Sequence, residues 1–296
     1  MPLFTFEGMN AMEQDVQYVF TPIPEEMICF HKSTTTELLN PAQPYHRHDA
    51  YELYLFLRGN TYMYVEQSCY KLSPGDLLLI RPGEMHRCVC ADNQIYERIG
   101  LNLRQSALQR LSSCRTNLLA CFDSAPAGLT TLIRLTRDQC AFYSRLADQL
   151  IHSLHSEDYG QDLLADAYAT RLLVFINTLQ QSSAALPHNI MPEIVRQTMA
   201  YIEEHLLEPI YSAQLEQEFH YSGKYISQQF KEHTGLTIRS YIVGKRVSLA
   251  MSHLTAGKSV AAACELSGFS DYANFIRSFT KVAGMSPGRY RAGMLP

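Results

Sequence analysis

Three histidines and one glutamate in the first third of the chain have the spacing needed to bind a polar small molecule. His46, His48 and Glu52 are separated by even numbers of residues, so on one β-strand they would lie on the same face. Tyr54 falls on that face too, and His86 follows a second strand-like segment. Imidazole and carboxylate groups beside an aromatic ring suit a ligand with hydroxyl or carboxyl groups. We therefore expect these five residues to line a ligand site.

A repeat near the end of the chain predicts two helix-turn-helix units. Phe230 precedes Gly235 by five residues, Phe279 precedes Gly284 by five residues, and a shift of 49 relates the two pairs. Each copy has the pattern of a helix, a short turn and a second helix. In helix-turn-helix proteins this second helix enters the major groove of DNA.

The second helix of each copy combines a buried apolar pair with a polar outer face. We expect Ile226 and Phe230 to be buried in the first copy, and Phe275 and Phe279 in the second, because residues four apart share a helix face. The outer residues, which would meet phosphates and base edges, are Lys224, Ser227, Gln228, Tyr272, Ala273, Asn274, Ile276 and Arg277.

Among these outer residues, Arg277 suits a bidentate contact with guanine, and Ala273 or Ile276 suits a contact with a thymine methyl group. The alternative is a pair of solvated amphipathic helices in an ordinary helical bundle. Either helix taken alone would favour that alternative.

The elements that position the histidines are expected to be strands. From about Ile28 to Leu103, short apolar runs alternate with turn residues, as at Arg58-Gly59-Asn60, Ser73-Pro74-Gly75-Asp76 and Arg81-Pro82-Gly83. This pattern predicts an all-β barrel or sandwich.

After Leu103 the apolar residues recur at helical spacing, and Gly160 divides them into a helical hairpin. The second helix is apolar around much of its girth, so we expect it to pack against the barrel, its partner helix or another subunit. The small, polar residues that follow predict a linker. The expected domains are a sensor barrel (1–105), a hairpin with a possible role in dimerisation (106–181), a linker (182–191) and an all-α DNA-binding domain (192–296).

The second copy resembles the signature of AraC/XylS-type transcription regulators. The matching stretches run from Gly268 to Lys281 and from Ser286 to Arg291, and the first copy adds Tyr241 and Arg246. The resemblance extends over about 192–291. It implies that two recognition helices enter adjacent major grooves, held apart by a helix over about 238–254, in which Arg246 is a possible structural ion-pair partner.

Two positions depart from the family pattern, which has a small alanine where the two helices of each unit touch. Here those positions hold Glu216 and Cys264. Cysteine is a small apolar residue and fits. A glutamate at a close helix contact indicates that the first unit packs differently or fits DNA less tightly.

The front domain resembles the two motifs of cupin barrels, with His46 to Glu52 followed by Gly59, and then Gly75 to His86. The whole chain is therefore expected to be an α+β multidomain protein with an N-terminal cupin-like barrel. The ligand set of metal-binding cupin enzymes is matched by His46, His48, Glu52 and His86, which suits non-haem iron, manganese or zinc. Because a fused DNA-binding module already supplies a function, we expect a sensor with no cofactor and no enzymatic activity, and keep a cupin metalloenzyme as the alternative.

Eight cysteines are present, and Cys88 and Cys90 are the only close pair. They could form a thiol metal site or a redox sensor, although two cysteines one residue apart on a strand more often share a packed face. The other cysteines have no paired spacing. We expect reduced thiols rather than a disulfide scaffold.

Composition and charge narrow the functional class. Residues 1–189 carry 14 Lys and Arg against 20 Asp and Glu, a balance of −6, whereas residues 190–296 carry 11 against 9, a balance of +2. The C-terminal part is therefore the candidate for an anionic partner. The apolar runs are too short to span a bilayer, and the first ten residues lack the pattern of a signal peptide.

Together these patterns predict a cytoplasmic transcription regulator that binds a double-stranded DNA operator. We expect a small-molecule effector in the barrel, a homodimer, a contact with RNA polymerase and no membrane partner. The family resemblance favours sugars or other carbon sources as effectors.

Overall fold

The computed structural model describes residues 19–20, 23, 25–35, 45–92, 95–123, 130–180 and 189–293. Within these residues, ten strands form two five-stranded sheets. Sheet A has the order β1-β3-β8-β5-β6, and sheet B has the order β10-β7-β4-β9-β2. The strands are β1 Val19–Phe20, β2 Met27–Thr35, β3 His46–Arg47, β4 Tyr51–Arg58, β5 Thr61–Val65, β6 Ser68–Lys71, β7 Asp76–Ile80, β8 His86–Cys90, β9 Ile95–Leu103 and β10 Thr131–Arg134.

Sheet B is buried on both faces, and β7 shows how its sequence achieves this. All five residues of Asp76–Ile80 are buried. Leu77 and Leu79 pack toward the following helices, whereas Leu78 and Ile80 pack into the core between the two sheets. A strand covered on both faces has an unbroken apolar run instead of an alternating one.

The helices follow the expected order. They are α1 Gln105–Leu111, α2 Arg137–His155, α3 Gln161–Gln180, α4 Glu193–Glu204, α5 Ser212–Phe219, α6 Gly223–Thr234, α7 Ile238–Thr255, α8 Val260–Leu266, α9 Tyr272–Ala283 and α10 Pro287–Ala292, with a short 3-10 turn at Ala120–Phe122. Helices α2 and α3 form the predicted hairpin, whose turn contains Gly160.

The segment between the barrel and the hairpin contains more than the sequence predicted. Strand β10 lies within the region 106–181 and pairs with β7 at the edge of sheet B. The hairpin and sheet B share one core. Residues 181–188, which include most of the predicted linker, lie outside the described residues.

The two helix-turn-helix units are formed by α5 with α6 and by α8 with α9, and α7 joins them. This agrees with the predicted all-α domain of two units and a connecting helix. Ser222 caps α6 and Asp271 caps α9, each accepting a hydrogen bond from a backbone N–H of the first turn.

The chain is built in layers. The α2–α3 hairpin covers one face of sheet B, and sheet A covers the other face. The outer face of sheet A packs against the DNA-binding helices, because Tyr45, Cys69 and Met85 share one buried cluster with α4 to α10. Among the described residues, no helix has the length and apolar character required to cross a bilayer.

Candidate DNA interface and effector site

The first recognition helix, α6, presents the predicted polar face. Ile226 and Phe230 are buried beneath it, and the predicted contact residues Lys224, Ser227 and Gln228 are exposed. Gln228 donates a hydrogen bond to Glu232 one turn later, at 2.9 Å. This bond orients the Gln228 amide along the helix.

The second recognition helix, α9, presents four of the five predicted contact residues to solvent, and these are Tyr272, Ala273, Asn274 and Arg277. Phe275 and Phe279 are buried beneath them, as expected. Ile276 was expected to face outward, but its side chain is half-buried and packs against the apolar cluster of the DNA-binding domain. Ile276 therefore has less surface available for a base contact than the spacing implied.

A groove of about 760 Å³ lies between the two units. Ser227 of α6 borders one side, Asn274 and Lys281 of α9 border the other, and Arg239 lies near the start of α7. Both recognition helices therefore border one groove.

Arg246 on α7 has a structural position. Its guanidinium donates hydrogen bonds to the backbone oxygens of Leu206, at 2.8 Å, and Glu208, at 2.6 Å. These carbonyls follow the end of α4. Arg246 therefore ties α7 to that segment through backbone carbonyls, and not through the carboxylate that an ion pair would need.

The unusual Glu216 of the first unit is accommodated by a glycine on the facing helix. A Cβ atom at Gly223 would overlap the side chains of Ser212 and Glu216. Because Gly223 has no side chain, Glu216 stays exposed and accepts a hydrogen bond from Ser212 at 3.2 Å. In the second unit Cys264 is buried, as its size predicted.

The front domain brings the predicted ligand residues together by a different route from the one expected. His46 lies on β3 of sheet A and Glu52 on β4 of sheet B, so the two are not on one continuous strand. The chain crosses between the sheets at residues 48–50, and this crossing places His48 beside Glu52. His46 pairs with His86 across β3 and β8.

His48, Glu52 and His86 form a buried cluster. His48 Nε2 lies 2.9 Å from Glu52 Oε2, and His86 Nε2 lies 3.4 Å from the same oxygen. The other ring nitrogen of each histidine is held by a backbone oxygen, that of Ala50 for His48 and that of Glu84 for His86. The His46 ring lies against that of His86, with centroids 4.2 Å apart.

The electrostatics of the cluster favour an ion pair. Burial alone would raise the pKa of Glu52, but hydrogen bonds from His48 and His86 outweigh it and hold the pKa well below its usual range. Burial alone would lower the pKa of His86, but the hydrogen bond with Glu52 raises it. Glu52 is therefore ionised, and His86 retains its proton to a higher pH than an ordinary histidine.

This cluster has the donor set for a metal ion or for a polar effector. One ligand atom from each of His48, Glu52 and His86 lies within 4.8 Å of the others. Backbone oxygens orient both rings, as is usual for metal-binding histidines. The same groups can equally donate and accept hydrogen bonds from hydroxyl groups.

Tyr54 lies in a different part of the interior. Its hydroxyl hydrogen-bonds with that of Tyr96 and lies 3.9 Å from the Cys88 sulfur. The prediction placed Tyr54 beside the histidines because every second side chain of a strand lies on the same face. Tyr54 does lie on the inner face, but its long side chain carries the hydroxyl toward β8 and β9.

The contact between sheet A and the DNA-binding domain contains functional candidates that the sequence did not reveal. Lys245 on α7 lies 3.1 Å from Glu66 of the β5–β6 turn and 2.6 Å from Glu203 of α4. Tyr241 also donates a hydrogen bond to Glu66, at 3.3 Å. Burial alone would lower the pKa of Lys245, but the two carboxylates raise it, so Lys245 carries its positive charge at neutral pH.

Arginines from two strands extend the same contact. Arg87 of β8 stacks on the rings of Tyr45 and Tyr64, at 4.8 and 4.9 Å, and donates a hydrogen bond to the backbone oxygen of His233 at the end of α6. Arg47 of β3 is buried against Met251 of α7. No local sequence signal marks these residues, because their partners lie 146 or more positions away.

Comparisons with known proteins agree with this division of the chain. Residues 38–173 match the family model of the AraC-like ligand binding domain, and residues 215–293 match a helix-turn-helix domain. The HTH-type transcriptional activator RhaR of Escherichia coli O139:H28 is 26% identical over 258 residues, covering 83% of this chain and 86% of that protein. The probable transcriptional regulator LumQ of Photobacterium leiognathi is 25% identical over 270 residues, covering 88% and 96%.

Among solved structures, ToxT from Vibrio cholerae O395, bound to (E)-4-(8-methylnaphthalen-1-yl)but-3-enoic acid, aligns with 92% of this chain and 100% of its own. The identity is 12% and the TM-score 0.38.

Proposed function

Because this chain belongs to the AraC family of transcription regulators, we propose that it binds a specific operator in double-stranded DNA under the control of a small molecule held by its β domain. The observation that carries this proposal is the pair of capped recognition helices that open onto one groove. In this reading α6 and α9 enter adjacent major grooves of one duplex.

The two helices would contribute different contacts. Arg277 on α9 is exposed and has the planar, forked donors that match the edge of guanine, while Ala273 offers a methyl group to thymine. Lys224, near the start of α6, supplies a point charge for a phosphate. Ser227, Gln228, Tyr272 and Asn274 would complete the contact, with a smaller part for Ile276.

The effector would enter at the cluster of His48, Glu52 and His86, with His46 beside it. Burying an ion pair carries a desolvation cost. A ligand with several hydroxyl or carboxyl groups can replace the contacts within the cluster by contacts to itself. This chemistry fits a sugar or another small polar carbon source.

Strands β3 and β8 would transmit the signal, because their residues alternate between the cluster and the DNA-binding domain. His46 and His86 face inward, and their neighbours Arg47 and Arg87 contact α7 and α6. A ligand that favours one arrangement of this contact changes the populations of the docked and separated domains.

Further partners belong to the same proposal. Helix α3 exposes Leu163, Leu164 and Val174, an apolar surface that supports pairing of two copies into a homodimer. Two DNA-binding domains would then occupy two half-sites, next to RNA polymerase, in the cytoplasm where the DNA lies.

DNA binding is tested with the purified full chain and the DNA upstream of its own coding sequence, with a scrambled duplex for comparison. We expect selective binding, with an affinity that falls linearly on a logarithmic salt scale. Arg277→Ala should lose selectivity, whereas Arg115→Ala, at an exposed position of the β domain, should bind as the unaltered chain does. Equal affinity for both duplexes would overturn the proposal.

Control by the β domain is tested at its contact with α7. Glu66→Gln removes the charge that faces Lys245 and should leave operator binding by the DNA-binding domain in place while weakening domain docking. Limited proteolysis between the domains, with and without candidate sugars, measures this. Unchanged docking in the variant would exclude Glu66 from the coupling.

A second candidate, a metal-dependent enzyme of the cupin type, is favoured by one observation, the convergence of three metal-ligand side chains. His48, Glu52 and His86 suit iron, manganese or zinc with open coordination positions. Metal analysis of the same purified sample tests this candidate. The enzyme would be favoured if the unaltered chain held one ion per chain and showed a measurable turnover, and if His48→Ala lost both.

A further inference from the structure

A pair of thiols lies on the inner face of β8, beyond the histidine cluster. Cys88 and Cys90 are two residues apart on the strand, so both side chains point into the core between the sheets. Cys88 is buried, Cys90 is half-buried, and both pack in the cluster between the two sheets. The two thiols therefore face the same part of the interior.

Polar and charged groups lie close to this pair of thiols. Thr61 Oγ1 lies 3.8 Å from the sulfur of Cys90. The guanidinium of Arg98 stacks on the ring of Tyr96 at 4.4 Å and acts electrostatically on Cys90. Within the described part of the chain, Arg98 Nη1 is buried without a hydrogen-bond partner. A buried cation with an unused donor favours an anion beside it.

The thiols can supply that anion. A cysteine binds a metal ion as its thiolate, so a bound ion displaces the thiol proton. Arg98 would place its positive charge beside the resulting thiolates.

A disulfide does not suit this geometry. Successive residues of a strand rise by about 3.3 Å, which separates the Cβ atoms of residues two apart by roughly 6.6 Å. A disulfide requires Cβ atoms about 3.5–4.5 Å apart. Closing the bond would pull β8 out of its pairing with β5, in which Val89 faces Tyr62.

A bridging metal ion suits the geometry better, since it sits between the sulfurs and leaves the strand in place. Thiolate ligands select soft ions such as Cu(I). Zinc in a structural site takes four ligands, and among the described residues Cys88 and Cys90 are the only thiols on this face of β8. Two thiolates satisfy a soft monovalent ion in linear coordination.

We propose that Cys88 and Cys90 bind one Cu(I) ion per chain as a two-thiolate site. Each thiol releases its proton to solvent as its sulfur binds the ion, and no atom changes its oxidation state. The resulting complex carries one negative charge, which the guanidinium of Arg98 neutralises. Binding at this site does not depend on the proposed function in DNA recognition.

The position of the site also links it to the domain contact. Arg87, which contacts the end of α6, is the residue immediately before Cys88 and faces the opposite side of the strand. A metal ion bound by Cys88 would therefore lie next to the residue of β8 that contacts the first recognition helix.

The experiment uses the reduced full chain under anaerobic conditions, with Cu(I) supplied from a competing chelator. We expect the unaltered chain to retain one Cu(I), and X-ray absorption to show two sulfur neighbours. Cys88→Ser and Cys90→Ser should each lose the retained ion. Cys114→Ser is the matched control, because Cys114 is an exposed single cysteine, and it should retain the ion.

Folding is checked by circular dichroism, and Arg98→Gln gives a variant that leaves both thiols intact. Loss of a residue that supports the metal ligands should weaken Cu(I) binding by about 10–100-fold. The proposal is overturned if the unaltered chain releases its Cu(I) to the chelator, or if a Cys88→Ser, Cys90→Ser double variant retains the same stoichiometry. Operator binding by the metal-free chain is measured separately, so failure of either proposal is recognised independently.

Discussion

The two helix-turn-helix units share one local design but meet different surroundings. Their recognition helices have 12 residues each, and each ends at a glycine in the left-handed conformation, Gly235 or Gly284. A Cβ atom at Gly235 would overlap the guanidinium of Arg87, whereas a Cβ atom at Gly284 would meet no described atom within 4 Å. Arg87 of the β domain therefore lies against the end of the first recognition helix, and no described residue of the β domain lies against Gly284 at the end of the second.

This difference bears on the proposed roles of the two units. The first helix carries Lys224, a proposed phosphate contact, near its start and meets Arg87 of the β domain at its end. The second helix carries Arg277, which suits the reading of a base. We expect regulation to act mainly through α6 and sequence preference to come mainly from α9.

The largest expected effect tests whether the two units have equivalent cores. Phe230 and Phe279 occupy corresponding positions and are both fully buried. Phe230→Ala and Phe279→Ala should each lower the free energy of unfolding by about 3–5 kcal/mol, because each leaves a cavity. Urea denaturation measures both. A difference of several kcal/mol between the two variants would show that the cores are not equivalent.

A smaller effect separates base reading from phosphate binding. Arg277→Ala should cost about 1–3 kcal/mol of binding free energy at one preferred base. Lys224→Ala should weaken binding to all duplexes alike and reduce the salt slope by about 1. Binding titrations on single-base variants of the operator distinguish the two, and equal losses on every duplex for Arg277→Ala would assign it to a phosphate.

The glycine pair gives a direct test of the regulatory contact. Gly284→Ala should cost about 1–2 kcal/mol of stability, the strain of a left-handed residue with a side chain. Gly235→Ala should carry the same strain and also displace Arg87, so only this variant should increase cleavage by a protease between the domains. Equal cleavage of the two variants would contradict a special role for the first unit.

The smallest effect concerns pH. Because the pKa of His86 is raised by Glu52, its ion pair contributes stability that is fully present below the ordinary histidine pKa of about 6.5 and is lost as pH rises through the pKa of the folded state. Thermal unfolding temperatures should therefore decrease on the alkaline side, and His86→Gln should reduce this slope. His152→Gln, at an exposed position of α2, is the control, and an unchanged slope in His86→Gln would exclude the ion pair as its source.

Much of this fold could be predicted because its signals are local. Turn residues such as Arg58-Gly59-Asn60 marked the ends of strands, and the 49-residue shift located both helix-turn-helix units. The buried pair of each recognition helix followed from a four-residue spacing. The family prediction was confirmed by the match to both domains.

Where the structure differs from the predictions made from the sequence, the cause is a contact with another element of the fold. The half-burial of Ile276 depends on neighbouring helices that a single helical pattern does not describe. The contacts that surround Glu216 depend on Gly223 in the facing helix. The effector and DNA-contact residues remain predictions, although the structure brings His48, Glu52 and His86 together.

The sequence by itself determined most of the helices and strands and the side chains available for chemistry, because periodicity, capping and turn residues act over a few positions. Only the tertiary structure decided which of those side chains meet. His48 and His86 share one carboxylate because two sheets face each other, and Lys245 meets Glu66 across 179 residues of chain. Such pairs are fixed by the packing of whole layers, and no local pattern encodes that packing.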